Sequence, residues 1–405
     1  MPIRVSHVRP RLPDPHSLGK NRVLMAAIGN RLTRYRFGWD TGLTAQHTLE
    51  MPLDVQYACF HPHRPIIYVA CSNGGVATPG DRHCLVALAL EDAEIRIMAK
   101  PVELPYRPLH VALDIQQRRV ALAYNRPAAV SVHELDEVGV IQNRRFLLEG
   151  VDLAGYFPHQ VLPMPDCCDL LLTCRGDDAT ASRAENPGSL RVLRAQHNAM
   201  TCVQIVSPNN GFGFGPRNCA FHPNKCLLYA VLERQNKLAV FRHRNGSIDP
   251  EPSWTVQLLE NTNRRNNPQL GGAIIIHPNG RFAYVVNRAH PLPGESTQQP
   301  FHGENSIVVF RLNGLTGAPE IMQRMALNGL HARCIALSED GMVLIAAFRQ
   351  AGRISGAAGI VTELSAGFAC FRVLDSGHLS LVNQQTVDVG EAQLFWADFA
   401  PDPEP

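Results

Sequence analysis

Three stretches share one pattern: residues 59–69 (CFHPHRPIIYV), 220–230 (AFHPNKCLLYA) and 275–285 (IIHPNGRFAYV). Each runs from an apolar strand through His-Pro into a polar turn, then into a second apolar strand. That second strand carries a Tyr six residues after the Pro: Tyr68, Tyr229 and Tyr284. Repetition of this kind marks an architecture in which each unit buries its face on the next, so it decides the fold before any motif does. Weaker copies run over residues 110–124, 160–173 and 334–346. Most copies are followed by an alternating strand, 237–242 (KLAVFR), 306–311 (SIVVFR) or 367–372 (GFACFR), and then by Asn245-Gly246, Asn313-Gly314 or Asp375-Ser-Gly377. Such turns are strong hairpin signals.

Four antiparallel strands in roughly 45 to 60 residues make the blade of a propeller. Units begin near residues 22, 55, 106, 155, 213, 269 and 331. The chain is therefore expected to be all-β, a seven-bladed β-propeller of four-stranded antiparallel blades. Residues 22–400 read as one propeller domain, with the Pro-rich segment 1–21 and the last five residues peripheral. Residues 393–399 (QLFWADF) are placed to complete the ring with the N-terminal blade. Ring closure removes exposed sheet edges.

Composition narrows the function. The 38 basic and 36 acidic residues nearly cancel, and no basic stripe with interleaved aromatics appears, so no nucleic-acid partner is expected. The eleven cysteines lack any C-x-x-C pair, and Cys167 and Cys168 are adjacent. That pattern favours free thiols and a reducing, cytoplasmic setting over a zinc or disulfide framework. No stretch approaches the roughly 20 apolar residues of a membrane span, so no membrane partner is expected. Neither an H-E-x-x-H site nor a carboxylate cluster is evident, and no metal or other cofactor is expected. A homo-oligomer is left open.

In each repeat the His-Pro turn marks one face of the disc, so the start of the first strand and the end of the second lie at the other. Arg217 stands seven residues before Asn224, and Glu233 nine after it. An antiparallel hairpin brings such positions together at its open end. Arg288 holds the position of Glu233 in the next repeat, and His159 sits just ahead of an earlier inner strand. The longest inserts, 289–305, 351–364 and 177–187, fall on the same side, where loops usually carry function. Arginines there suit an anionic, oxygen-rich small molecule and a developing oxyanion. Glu233 and His159 can move protons. The alternative for Arg217 and Glu233 is a structural ion pair. His61, His222 and His277, each before a Pro in the opposite turns, read as structural. The glycine-rich run 211–215 precedes no helix and reads as the approach to the fifth blade rather than a phosphate loop.

These residues resemble the lactonase family of seven-bladed propellers, which includes propeller-type 6-phosphogluconolactonases and carboxy-cis,cis-muconate cyclase. The resemblance rests on residues 215–224 (GPRNCAFHPN) with 228–233 (LYAVLE), and on 280–288 (GRFAYVVNR) with 306–310 (SIVVF). Residues 157–160 (FPHQ) and 332–341 are similar to two further family elements. It spans about residues 55–390 and is densest over 213–312. It implies His159, Glu233, Arg217 and Arg288 as the catalytic group, with Arg217, Arg288, Asn218 and Arg333 binding substrate.

The chain departs from the family pattern at Asn218, Leu232, Phe157 and 174–177 (CRGD), and its loop after Arg288 is longer. Those changes bear on the substrate rather than on the fold. The resemblance implies a lactone hydrolase acting on a small anionic lactone, in carbohydrate or aromatic catabolism. A cycloisomerase that forms or opens a lactone from a diacid shares the same residues. A non-catalytic binding platform is a third reading.

Overall fold

A strand that is apolar at every position needs cover on both faces. Ile66–Ser72, Leu227–Leu232 and Phe282–Ala289 are buried along their whole length. In the computed structural model each is the second strand of an antiparallel sheet, one of seven such sheets arranged about a channel. The structure describes residues 22–75, 78–91, 94–196, 199–260, 269–289, 300–301, 303–355 and 361–401. Segment 1–21, the last four residues and most of the 289–305 insert lie outside these, as does 356–360 of the 351–364 insert.

From the axis outward, blade 2 runs Asp54–Phe60, Ile66–Ser72, His83–Leu90 and Ile95–Ile97, and blade 3 runs Pro108–Asp114, Arg119–Asn125, Ala128–Leu135 and Ile141–Glu149. Blade 4 comprises Pro158–Pro163, Leu170–Cys174, Ser189–Gln196 and Ala199–Val206. Blade 5 comprises Pro216–Phe221, Leu227–Leu232, Lys237–Arg244 and, beyond them, Ser247–Ile248 and Trp254–Gln257. Blade 6 is built from Gln269–Ile276, Phe282–Ala289, Ser306–Leu312 and Pro319–Ala326. Blade 7 is built from Leu330–Leu337, Val343–Gln350, Gly367–Val373 and Leu379–Thr386. Blade 1 is composite: Leu394–Phe399 is its innermost strand, followed outward by Val23–Ile28, Arg31–Gly38 and Gly42–Glu50. Ala26 pairs with Ala397 and Ala27 with Trp396, so the two ends of the ring are joined as the sequence indicated.

Core clusters lie between neighbouring blades. Tyr229 and Val231 of blade 5 pack with Val285 and Phe310 of blade 6, all essentially inaccessible. The repeated tyrosines rivet each blade to the outer turn of the next. Tyr68 donates to the Gly139 carbonyl (2.9 Å), Tyr229 to that of Gly317 (2.5 Å) and Tyr284 to that of Gly377 (3.1 Å). Tyr229→Phe should lower stability by about 1 kcal/mol, the usual contribution of one buried hydrogen bond. A urea midpoint equal to that of the wild type would show the hydroxyl to be idle.

The His-Pro histidines act locally, as expected. Nδ1 of His61, His222 and His277 accepts the backbone N–H two residues on (3.1, 3.0 and 3.1 Å), and His222 Nε2 bonds Gly280 O of the next blade (2.9 Å). Asn245 and Gly246 both take left-handed φ (52° and 73°), the two-residue hairpin turn. The Asn313-Gly314 turn differs. Asn313 Oδ1 accepts from Leu315 N and Thr316 N (both 2.9 Å), which lengthens the turn to Ala318 and passes the left-handed φ to Gly317 (76°). The eleven cysteines are free. No helix among the described residues is long and apolar enough to cross a membrane.

Candidate active site

Every innermost strand contains one surplus residue at the same level, on the face opposite the His-Pro turns. Val55 pairs with Cys71 and Tyr57 with Ala70, leaving Gln56 unpaired. The same slip leaves out Leu109, His159, Arg217, Arg333 and Phe395 in blades 3, 4, 5, 7 and 1. A β-bulge of this kind bends the strand and re-aims the unpaired side chain. Repeating it around the ring turns His159, Arg217 and Arg333 toward one mouth.

Blade 6 has the bulge but no polar side chain to aim, because it falls at Gly272 and Ala273, between the Gly271–Asn287 and Ile274–Val285 pairs. A Cβ on Gly271 would stand 2.6 Å from Val231 Cγ1, and one on Gly272 would stand 3.2 Å from Arg288 Nε. The two glycines let the strand approach blade 5 and leave room for Arg288, which reaches across to it at 2 % exposure.

Glu233 is the hub. It follows the second strand of blade 5 and is 4 % exposed. Its N–H donates to Gly215 O (2.8 Å) and its carbonyl accepts from Gly271 N (3.0 Å). Its Oε1 meets Arg217 Nε (2.8 Å) and Arg288 Nη2 (2.7 Å), and Oε2 accepts from Arg175 Nε. Burial alone would raise the Glu233 carboxyl, but Arg175, Arg217 and Arg288 outweigh it and hold it at about 2. Arg288 Nη1 also meets His331 Nε2 (2.9 Å), and Nη2 donates to Gly271 O (2.9 Å). Burial and then the charge of Arg217 bring Arg288 down to about 9.

His159 stands beside this cluster. Its ring stacks on Phe157 (centroids 6.5 Å apart, planes 10° apart), and the Arg175 guanidinium lies 5.4 Å from the Phe157 ring. Its Nδ1 is buried without a hydrogen-bond partner among the described residues. Burial, then Arg217 and Arg333, push its pKa well below 6.5, so the imidazole is neutral near pH 7. Phe157, Gly215 and His331 each lie two residues before a bulge and share left-handed φ values of 53°, 51° and 53°. For Phe157 and His331 that backbone is strained, a condition that clusters at functional sites.

Thus Arg217, Glu233 and Arg288 are in direct contact and His159 adjoins them. Asn218 is buried next to Arg217, and its Oδ1 accepts from Arg217 Nη1, which steadies that guanidinium. Arg333 lies 3.7 Å over the Phe395 ring and donates from Nε to Phe395 O (3.1 Å). Sequence reading overlooked Arg175, Arg349, His331 and Arg107. The first two were available from the rule that found Glu233 and Arg288, since each lies at the end of a blade's second strand. Among the described residues no group of three or more His, Cys, Asp or Glu could hold a metal ion.

A cavity of about 360 Å³ opens beside the cluster, lined by Gln56, Arg349, Gln393 and Phe395. A wider one of about 630 Å³ lies toward the other face and is lined by Tyr57, His110, Gln160 and Asp398.

A family model described as lactonase, 7-bladed β-propeller matches residues 25–358. The chain is 27% identical over 260 residues to a 6-phosphogluconolactonase of Yersinia enterocolitica, covering 63% of this chain and 71% of that one. It is 26% identical over 259 residues to the 6-phosphogluconolactonase of Pectobacterium atrosepticum, covering 64% and 71%. It resembles in fold the periplasmic gluconolactonase of Pseudomonas aeruginosa, with a TM-score of 0.69 at 17% identity over 95% of this chain and 100% of that one.

Proposed function

We infer the activity from kinship joined to geometry: the chain belongs to the lactonase family of seven-bladed β-propellers. It is a lactonase-type enzyme, and its relatives are named for the hydrolysis of a phosphorylated sugar lactone. Our proposal for its own substrate is a small anionic sugar lactone opened by water at the mouth around Arg217. The observation that carries this is the charge imbalance there. Arg107, Arg175, Arg217, Arg288, Arg333 and Arg349 converge on the mouth, and among the described residues two carboxylates bond them: Glu233 bonds Arg175, Arg217 and Arg288, and the exposed Asp178 bonds Arg175. Buried cations need anionic partners, and the substrate supplies the missing charge.

The residues divide the work as follows. Neutral His159 accepts a proton from water as the water oxygen bonds to the lactone carbonyl carbon. Arg217 keeps free guanidinium N–H groups beyond those given to Glu233 and Asn218, and these stabilise the tetrahedral oxyanion. Collapse breaks the ring C–O bond, and the imidazolium returns its proton to the departing alkoxide, leaving an open-chain hydroxy acid. Glu233, held at about 2, is too weak a base to take the proton from water and instead fixes the arginines. Arg288, fully buried, is a positioning residue that steadies Glu233 and His331.

The test is acid release followed by pH-stat on 6-phosphoglucono-δ-lactone, glucono-δ-lactone and a muconolactone. One proton released per sugar lactone consumed, unaffected by a chelator, is expected. Loss of activity with chelator would bring a metal into the reaction. Interconversion of diacid and lactone without net hydrolysis would make the protein a cycloisomerase, and no turnover of any lactone would end the hydrolase reading.

A further inference from the structure

We propose that Arg107, Arg333 and Arg349 form a second anion subsite in the mouth, which grips a phosphate monoester remote from the ester being cleaved. The proposal rests on the lactonase reading above and assigns to separate residues the recognition of the substrate's far end.

The six arginines fall into two sets with different partners. Arg175, Arg217 and Arg288 share the Glu233 carboxylate. Arg107, Arg333 and Arg349 bond no carboxylate among the described residues, and their hydrogen-bond acceptors are neutral. Arg107 Nε donates to Gln56 Oε1 (2.8 Å), Arg349 Nε to Gln393 Oε1 (2.7 Å) and Arg333 Nε to Phe395 O (3.1 Å). Each anchors through Nε, which fixes the side chain and leaves its terminal nitrogens for a ligand. Arg107 is 6 % exposed, and its Nη2 is buried with no hydrogen-bond partner.

The set is also gathered in space. Arg333 and Arg349 both lie against the Phe395 ring, at 3.7 and 5.5 Å. Arg349, Gln393, Phe395 and Gln56 line the cavity of about 360 Å³, and Gln56 is the residue that anchors Arg107. Asp54 and Glu391 also line that cavity, but both are exposed and neither bonds to these arginines. Burial and then the charge of Arg349 depress Arg107 to about 10, as expected of like charges facing one space. A single carboxylate would neutralise one guanidinium of the three. A phosphate monoester, with about two charges and three acceptor oxygens, fits the set better.

Arg349→Gln and Arg333→Gln, checked for an unchanged melting temperature, test the idea by calorimetric titration with 6-phosphogluconate and gluconate. The wild type should bind the phosphorylated acid at least ~10-fold more tightly, and each variant should cut that preference by ~10-fold, about 1.4 kcal/mol. Arg349→Lys should retain part of it. The ratio of kcat/KM for 6-phosphoglucono-δ-lactone over glucono-δ-lactone should fall in parallel. Variants that weaken both ligands equally, or a wild type indifferent to the phosphate, overturn the subsite. Phosphate-dependent binding without turnover would leave the subsite standing and remove the hydrolase reading, while turnover with unchanged ratios would do the reverse.

Discussion

Glu233→Gln is expected to lower kcat/KM by about 10³-fold and to destabilise the fold by about 3 kcal/mol. The first figure is the usual cost of losing oxyanion stabilisation, because Arg217 loses the partner that orients it. The second follows from leaving buried guanidinium groups uncompensated. It also follows from linkage. The carboxyl falls from its ordinary 4.5 to about 2 on folding, and each unit is about 1.4 kcal/mol. A group whose pKa is depressed in the folded protein stabilises it fully above the unfolded value. That contribution drains away as pH falls from about 4.5 to about 2. The wild type should therefore lose stability through this window more steeply than Glu233→Gln, measured as chemical-denaturation midpoints against pH. Parallel curves would show that the three arginines do not depend on this carboxylate.

His159→Gln should reduce kcat by ~10²- to 10⁴-fold, the range for loss of a general base, with little change in KM. Its folding cost should be small, since His159 Nδ1 has no hydrogen bond to lose. Because burial and Arg217 hold the wild-type imidazole well below 6.5, kcat/KM should be flat from about pH 6 to 8 rather than rising through the ordinary histidine range. A variant with full activity would move the base elsewhere. A profile rising near 6.5 would mean that the ring is not held neutral by its neighbours.

The fold was legible because its signal is periodic. Seven copies of an apolar hairpin, each ended by a polar turn, admit few arrangements, and 393–399 was recognisable as a strand without a blade of its own. The mouth was partly legible for the same reason, since hairpin ends are countable from the His-Pro turns and yielded Arg217, Glu233 and Arg288. The bulges were not legible. An extra residue in a strand has no residue type of its own, and Gln56, Leu109, His159 and Arg333 have nothing chemical in common. Spacing places Arg175 at the end of a second strand as it does Glu233, but a position is not a contact. That Glu233 is locked by three cations is visible only in the structure. Arg107 stands just ahead of the innermost strand of blade 3, a position the hairpin rule also assigns to the mouth, but its contact with Gln56 is seen only in the structure.

Blade 1 takes its innermost strand from Leu394–Phe399 and its other three from residues 23–50, and that strand carries Phe395, the aromatic surface beneath Arg333 and Arg349. The proposed phosphate subsite is thus completed by a strand that lies far along the chain from the rest of its blade. A chain in which this strand is undocked would lack Phe395, the floor of the proposed subsite. If Arg333 and Arg349 hold a ligand as proposed, its binding reports on whether the circle has shut, and would in turn favour the closed ring over one with its final strand undocked.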